Sequence, residues 1–187
     1  MSTTSLPLLD QKTITFSDGS SLELGDAITD FRQCHGALEK RILYHCRRRL
    51  PPSASPSMRH RDDEDLIVKI KVQIPDPDGT STTTTVAAPS PPAKDDVSPE
   101  PEPDHSESTM YEFEALRNFA QCYCYHAPRL VVFHTLQQDS DGLLPGGYIN
   151  FTVMTRVPGI SLFELGYWSL EASARGKIME QFLEALW

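Results

Sequence analysis

The sequence predicts an α+β domain: an antiparallel sheet with a helix laid on it. Three observations carry that expectation. Residues 66–74 read LIVKIKVQI. Leu66, Val68, Ile70, Val72 and Ile74 fall on one face, and Ile67, Lys69, Lys71 and Gln73 on the other. That period of two is the signature of a strand. Residues 130–136 and 148–155, LVVFHTL and YINFTVMT, are two further strand-like runs. Asp139-Ser140-Asp141-Gly142 and Pro145-Gly146-Gly147 lie between them, so the two runs are expected to form a hairpin. Residues 110–121 instead carry Glu112, Leu116 and Phe119 at i, i+4 and i+7, the spacing of a helix.

Taken from the N-terminus, residues 1–12 read as a tail. Residues 13–24, TITFSDGSSLEL, hold two short runs around Asp18-Gly19, a hairpin signal. Residues 26–49 read as a helix, because Ile28, Phe31, His35, Leu38, Ile42 and Cys46 recur at three- and four-residue steps. Arg47-Arg48-Arg49 then place cations where the dipole of a helix C-terminus favours them. The strand at 66–74 follows, and later the helix at 110–121. Pro128 stops the stretch after that helix. Pro158-Gly159 ends the strand at 148–155, and residues 161–167 suit a short helix. Residues 170–187 form an amphipathic helix, with Leu170, Ala174, Ile178, Phe182 and Leu186 at near-helical spacing.

The chain has 187 residues and a formal net charge of −9. Its charge is concentrated. Residues 75–108 hold eight acidic side chains and one lysine, and only five of the 34 residues are apolar. Eleven of the fifteen prolines lie between Pro51 and Pro103. Residues 75–108 cannot bury enough surface to offset chain entropy and are expected to be a disordered insert. A smaller polar stretch covers residues 51–65. Outside the insert the net charge is −2 and the composition is ordinary globular. The acidic balance argues against a partner that is nucleic acid or an anionic membrane. No run of about 18 apolar residues predicts a membrane span. The N-terminal residues lack a basic and an apolar region of the secretory kind, and four cysteines are too few for a disulfide scaffold. A cytoplasmic protein with reduced thiols is expected.

Cys34-His35, His45-Cys46 and Cys122-x-Cys124-x-His126 offer metal-ligand chemistry. There is no C-x-x-C pair, and Cys122 and Cys124 on a helix would point to different faces, so no metal site is expected. No nucleophile–His–Asp constellation with usable spacing is present.

One arrangement does carry chemistry. A lysine on a strand presents a point charge to phosphates, and a carboxylate on a helix across the sheet can hold it. Ile67-Val68-Lys69, residues 111–117 (YEFEALR), residues 127–132 (APRLVV) and residues 148–159 (YINFTVMTRVPG) together resemble the small lobe of the kinase-like phosphotransferases. The likeness is to the aminoglycoside phosphotransferase and choline kinase branch, of fungal type. The last run, ending in Met-x-x-x-Pro-Gly, is similar to that family's final small-lobe strand and hinge. The resemblance spans residues 66–187 with the insert skipped. It implies a protein-kinase-like small lobe, antiparallel sheet plus one helix, and the first helix of a large lobe. The small lobe would then comprise 13–74 and 109–159, interrupted by the insert at 75–108, with 160–187 opening the large lobe.

The resemblance also assigns roles. Lys69 is preferred over Lys71 as the phosphate lysine, because the family places an apolar residue two positions earlier, over the adenine, and Ile67 fills that place. Two solvated lysines on a half-exposed strand would give the same spacing. Glu112 is preferred over Glu114 as the lysine's partner, since Leu116 and Phe119 follow it at the family's spacing. A carboxylate near a helix N-terminus is favourable for dipole reasons alone. Met154 would sit beside the adenine, and the backbone of Thr155 and Val157 would hydrogen-bond it. The nucleotide implied is ATP, weakly bound, with Mg²⁺ only in the presence of a large lobe.

Two features depart from the family. Between Thr13 and Asp65 the glycines Gly19, Gly25 and Gly36 are scattered, so no phosphate loop is legible. No aspartate follows Asp141, so the family's catalytic and metal-binding aspartates have no counterpart after the hinge. The expectation is therefore the ATP-site half of a truncated phosphotransferase, without transfer activity of its own. The alternative is a non-catalytic interaction module that binds a protein partner through the acidic insert or the exposed cleft.

Overall fold

The computed structural model describes residues 7–34, 38–51, 65–76 and 105–186. Most of the acidic insert and residues 52–64 of the polar stretch lie outside the described residues. A short helix, α1 (Pro7–Asp10), precedes β1 (Thr13–Thr15), β2 (Ser21–Ala27), β3 (Arg32–Gln33), β4 (Glu39–Arg49) and β5 (Leu66–Gln73). Helix α2 (Glu107–Gln121), β6 (Leu130–Gln137), β7 (Tyr148–Thr155), a 3₁₀ turn (Tyr167–Ser169) and α3 (Ala172–Leu186) follow. The strands form one sheet in the order β1-β2-β4-β5-β7-β6, with β3 pairing β4 beside that path. Every pairing is antiparallel. The α+β class and the antiparallel sheet expected from the sequence are present.

β5 runs through the middle, flanked by β4 and β7. Its alternation fixes the register, because a one-residue slip would put its aliphatic set on the wrong face. Leu66, Val68, Ile70 and Val72 are buried in one apolar core with Ile42, Cys46, Ile149, Phe151 and Val153. Each such side chain contributes roughly 1.5–3 kcal/mol on leaving water. The sheet curls so that the turn after β1 reaches across this core. Phe16 stacks on His134 of β6 at 3.9 Å between ring centroids and meets Phe151 edge-on at 5.4 Å. The Asp18-Gly19 turn follows Phe16 directly, the Gly19 N–H donating to Phe16 O at 3.0 Å. Gly19 has φ +78°, and Asp18 accepts from the Ser20 N–H at 2.9 Å. Within the stretch expected to be a tail, residues 1–12, Pro7–Asp10 form α1, and Leu8 and Leu9 pack against the core.

The helix expected at residues 26–49 is not formed. The segment is the end of β2, a connection containing β3, and the eleven residues of β4. Three- and four-residue apolar spacing was present, but so was a period of two: Ile42, Tyr44 and Cys46 against Arg41, Leu43, His45 and Arg47. Pairing with β2 on one side and β5 on the other decides for strand.

α2 begins at Glu107, inside the last residues assigned to the insert. Ser106 caps it, its Oγ accepting from the Thr109 N–H at 3.2 Å. The short helix expected at 161–167 is a run of turns leading into the 3₁₀ segment. α3 forms near the expected place, but none of its described residues is buried. No described helix is long and apolar enough to cross a membrane.

Candidate functional site

On the second face of the sheet, where α2 packs, the residues at the same spacing are polar. β5 supplies Lys69, Lys71 and Gln73; β4 supplies Glu39; β7 supplies Tyr148, Asn150 and Thr152. Glu39, Lys71, Gln73, Asn150 and Thr152 are all buried. Buried charges cost several kcal/mol each unless they are paired and hydrogen-bonded, so their partners decide the energetics.

Glu112, in the second turn of α2, reaches both strand lysines. Its Oε1 accepts from Lys69 Nζ, and its Oε2 lies 3.1 Å from Lys71 Nζ. Burial alone would raise the Glu112 pKa. The hydrogen bond and charge of Lys69, with the charge of Lys71, outweigh that and hold it below the ordinary 4.5. Glu114 points to solvent.

Glu39 is 0% exposed. Its Oε1 accepts from Ser106 Oγ at 2.6 Å, Tyr148 OH at 2.8 Å and Thr109 Oγ1 at 3.0 Å. Its Oε2 has no hydrogen-bond partner among the described residues and lies 3.8 Å from Lys71 Nζ. Lys71 also donates to Thr109 Oγ1 at 2.9 Å. One continuous network therefore joins the first two turns of α2 to three strands. Lys71 is at its centre, 6% exposed. Lys69 is at its margin, with its side chain also bordering a cavity of about 190 Å³.

That cavity lies beneath the connection between β2 and β4 and is lined by Thr29, Asp30, Arg32, Arg41, Leu43 and Lys69. The connection is tied down by backbone bonds from Ile28 N–H to Leu43 O, 2.8 Å, and from Cys34 N–H to Glu39 O, 2.8 Å. Thr29 Oγ1 accepts from the Leu43 N–H at 3.2 Å. Sequence reading missed Thr29, Arg32, Arg41 and Glu39 because it placed all four on a helix. The alternation within β4 was the signal that would have found Glu39 and Arg41.

Ile67 lies opposite His45 on β4 and Met154 on β7, so Ile67 and Met154 are side by side. Near this end an open groove of about 540 Å³ is bordered by Glu23, Gly25, His45, Arg47 and Asp65. A Cβ at Gly25 would come within 3.3 Å of the His45 carbonyl. The hinge-like run begins at Thr155, whose N–H donates to Arg129 O at 3.0 Å and whose Oγ1 accepts from the Arg129 N–H at 2.9 Å. A ligand that used the Thr155 N–H would have to displace that bond. Arg156 is fixed to Asp65 through N–H to O, 2.9 Å, and Nη1 to Oδ2, 3.0 Å. Val157 is exposed. The six residues singled out from the sequence thus fall into two groups: Lys69 with Glu112, and Ile67 beside Met154 on the same face as Lys69, with Thr155, opposite Leu66, and Val157 following in the chain.

Among the described residues no group of three metal-ligating side chains is assembled. The four cysteines are free thiols, and burial pushes the Cys46 thiol up to about 12, leaving it protonated. No protein-family model, no curated protein and no solved structure gives a significant match to the chain.

Proposed function

We propose that this chain is the nucleotide-binding half of a kinase-like phosphotransferase, with ATP as the nucleotide. The Lys69–Glu112 pair between the central strand and the helix above it carries the reading. A strand lysine held by a helix carboxylate is what places a cation against nucleotide phosphates. Lys69 also borders a cavity, while Lys71 is enclosed. Ile67 and Met154, paired at the other end of the same face, are apolar surfaces of the kind a base stacks against. The reading assigns these residues a part in binding the nucleotide and no step of phosphoryl transfer.

Thermal melting with and without ATP tests the reading. ATP is expected to raise the Tm of the wild type and to raise that of Lys69→Ala less. An equal rise in both removes Lys69 from the site. Turnover of amino-alcohol or aminoglycoside acceptors by the purified chain would overturn the assignment of a binding role alone.

A second reading, a protein-interaction module, is favoured by one observation. The residues after the hinge-like run expose Ile160, Leu162, Phe163, Trp168, Phe182 and Leu183, with Phe163 at 93% and Trp168 at 82%. Such a run of apolar side chains in water is the usual mark of a surface that another protein covers. Under this reading ATP leaves the Tm of the wild type unchanged.

A further inference from the structure

We propose that Arg32 and Arg41 form a clamp for the polyphosphate chain of a nucleoside di- or triphosphate, completing the site that Lys69 begins. The inference rests on the nucleotide reading above and adds the residues that grip the phosphates.

The register carries it. Arg32 on β3 lies directly opposite Arg41 on β4, and Arg41 directly opposite Lys71 on β5. Three cations therefore stand in a row across three strands. Like charges opposed in this way destabilise a sheet. Only one of the three is well neutralised: Lys71 has Glu39 and Glu112. Arg32 reaches Asp30 at 3.5 Å, but both side chains are mostly in water, where such a pair contributes little. Among the described residues no carboxylate lies within ion-pair distance of Arg41. An anion between the two guanidinium groups would relieve this repulsion.

The space for that anion is the 190 Å³ cavity, and its lining is suited to phosphate. Arg32, Arg41 and Lys69 bring three cations to it, against one carboxylate, Asp30. A guanidinium meets phosphate through two parallel N–H groups, so two arginines can hold adjacent phosphates of one chain. Thr29 accepts from the Leu43 N–H and keeps its own hydroxyl proton to donate. Residues 28–34 contain no glycine, so the close backbone cradle of a glycine-rich loop is not available there. Side-chain cations take its place. Asp30, the one carboxylate at the cavity, repels a bound anion, and each further phosphate of the chain adds a contact with the cations.

Calorimetric titration of the full chain tests the clamp with five probes: ATP, ADP, AMP, adenosine and tripolyphosphate. Arg32 and Arg41 are exposed, so Arg32→Gln and Arg41→Gln are expected to keep the wild-type circular dichroism, with a Tm unchanged or slightly raised as the repulsion is removed. Each is expected to weaken ATP binding at least tenfold, with adenosine unaffected. Asp30→Asn is expected to tighten ATP binding several-fold. In the wild type, affinity should fall in the order ATP, ADP, AMP and decline steeply with added salt. ATP binding unchanged in both arginine variants overturns the clamp and leaves the nucleotide reading standing, as does adenosine binding as tightly as ATP. Tripolyphosphate bound by the wild type and lost in Arg41→Gln, with no preference for ATP, supports the clamp and overturns the nucleotide reading. Wild type that binds neither ATP nor tripolyphosphate overturns both.

Discussion

The two faces of the central sheet are built from the same strands and bury side chains to a similar extent, yet they are held by different forces. On one face Leu66, Val68, Ile70, Val72, Phe151 and Val153 pack as hydrocarbon, and none is more than 1% exposed. On the other, Glu39, Lys71, Asn150 and Tyr148 are buried behind α2 in hydrogen bonds and ion pairs. The first face gains free energy simply by leaving water. The second gains only if each polar group finds a partner, and it does not quite succeed. Glu39 Oε2 and Asn150 Nδ2 lack hydrogen-bond partners among the described residues. An unsatisfied buried group of this kind costs about 1–3 kcal/mol. A fold selected for stability alone would place aliphatic residues under α2. The polar face is therefore better explained by what it positions, the Glu112 carboxylate between two lysines, than by what it stabilises.

The comparison can be broken most directly with neighbours on β7. Phe151→Ala removes a fully buried ring and is expected to cost about 3–5 kcal/mol. Asn150→Ala, one residue away on the polar face, loses only the bond to Thr135 at 2.8 Å and is expected to cost about 1–2 kcal/mol. Urea midpoints measure both. Equal losses would mean that the two faces are energetically alike.

Next in size is the buried Glu39–Lys71 pair. Glu39→Ala leaves Lys71 with Glu112 alone and frees the hydroxyls of Ser106, Thr109 and Tyr148, an expected loss of about 3 kcal/mol. Replacing the pair together, Glu39→Leu with Lys71→Met, removes both charges and is expected to recover most of that loss. If the double variant is as unstable as the single, the network contributes stability and the argument for positioning weakens.

The faces should also titrate differently. His134 lies on the apolar side, stacked on Phe16. Burial holds its pKa below the ordinary 6.5, with Asp18 opposing and Arg48 adding to the effect. A histidine that is harder to protonate when folded destabilises the protein as pH falls below the unfolded value of 6.5. Glu112, on the polar side, has a folded pKa below 4.5, so its contribution is present above that value and lost as pH falls through the folded one. Acid unfolding followed by fluorescence should respond to His134→Gln as pH falls below about 6.5 and to Glu112→Gln only below about pH 4.5. A single window common to both variants would contradict the assignment.

How far the sequence could be read follows the same division. The apolar face was legible, because β5 and β7 carry aliphatic residues at a strict period of two and burial of one face fixes the register. α2 was legible from residue 110 onwards, but its first turn was hidden: Ser106, Glu107 and Ser108 look like the acidic insert until the Ser106 cap is seen. The polar face was legible only in part. Lys69 and Glu112 stood out by their resemblance to a family pattern. Glu39, Ser106, Thr109 and Tyr148 come together from separations of up to 109 residues, and no local pattern records such a meeting. β4 was misread because its arginines and half-buried Leu43 and His45 blur the alternation, and two flanking strands, not its own propensity, make it β. That one error also hid Arg32 and Arg41, whose relation exists only in the strand register.

The solvent side of α2 offers the smallest effect and a check on the whole ranking. The helix ends in a Schellman arrangement: Cys124 N–H bonds Phe119 O at 2.9 Å and Tyr123 N–H bonds Ala120 O at 3.4 Å. The residue between must adopt a left-handed conformation, and here it is Tyr123, φ +54°, where glycine is usual. A side chain in that region is strained by about 1 kcal/mol, and the Tyr123 ring, largely in water, recovers little of it by packing. Tyr123→Gly is therefore expected to stabilise the chain by about 0.5–1 kcal/mol, the gain being reduced by the greater freedom of glycine when unfolded. The corresponding rise in Tm is about 1–4 °C. Because α2 is anchored to the sheet through Ser106, Thr109 and Glu112 at its other end, relief at its C-terminus should leave ATP-dependent stabilisation unchanged. A fall in Tm would mean that the exposed ring packs where the fold gives it no neighbour. A rise in Tm accompanied by lost ATP response would mean that the strain is transmitted along the helix to Glu112.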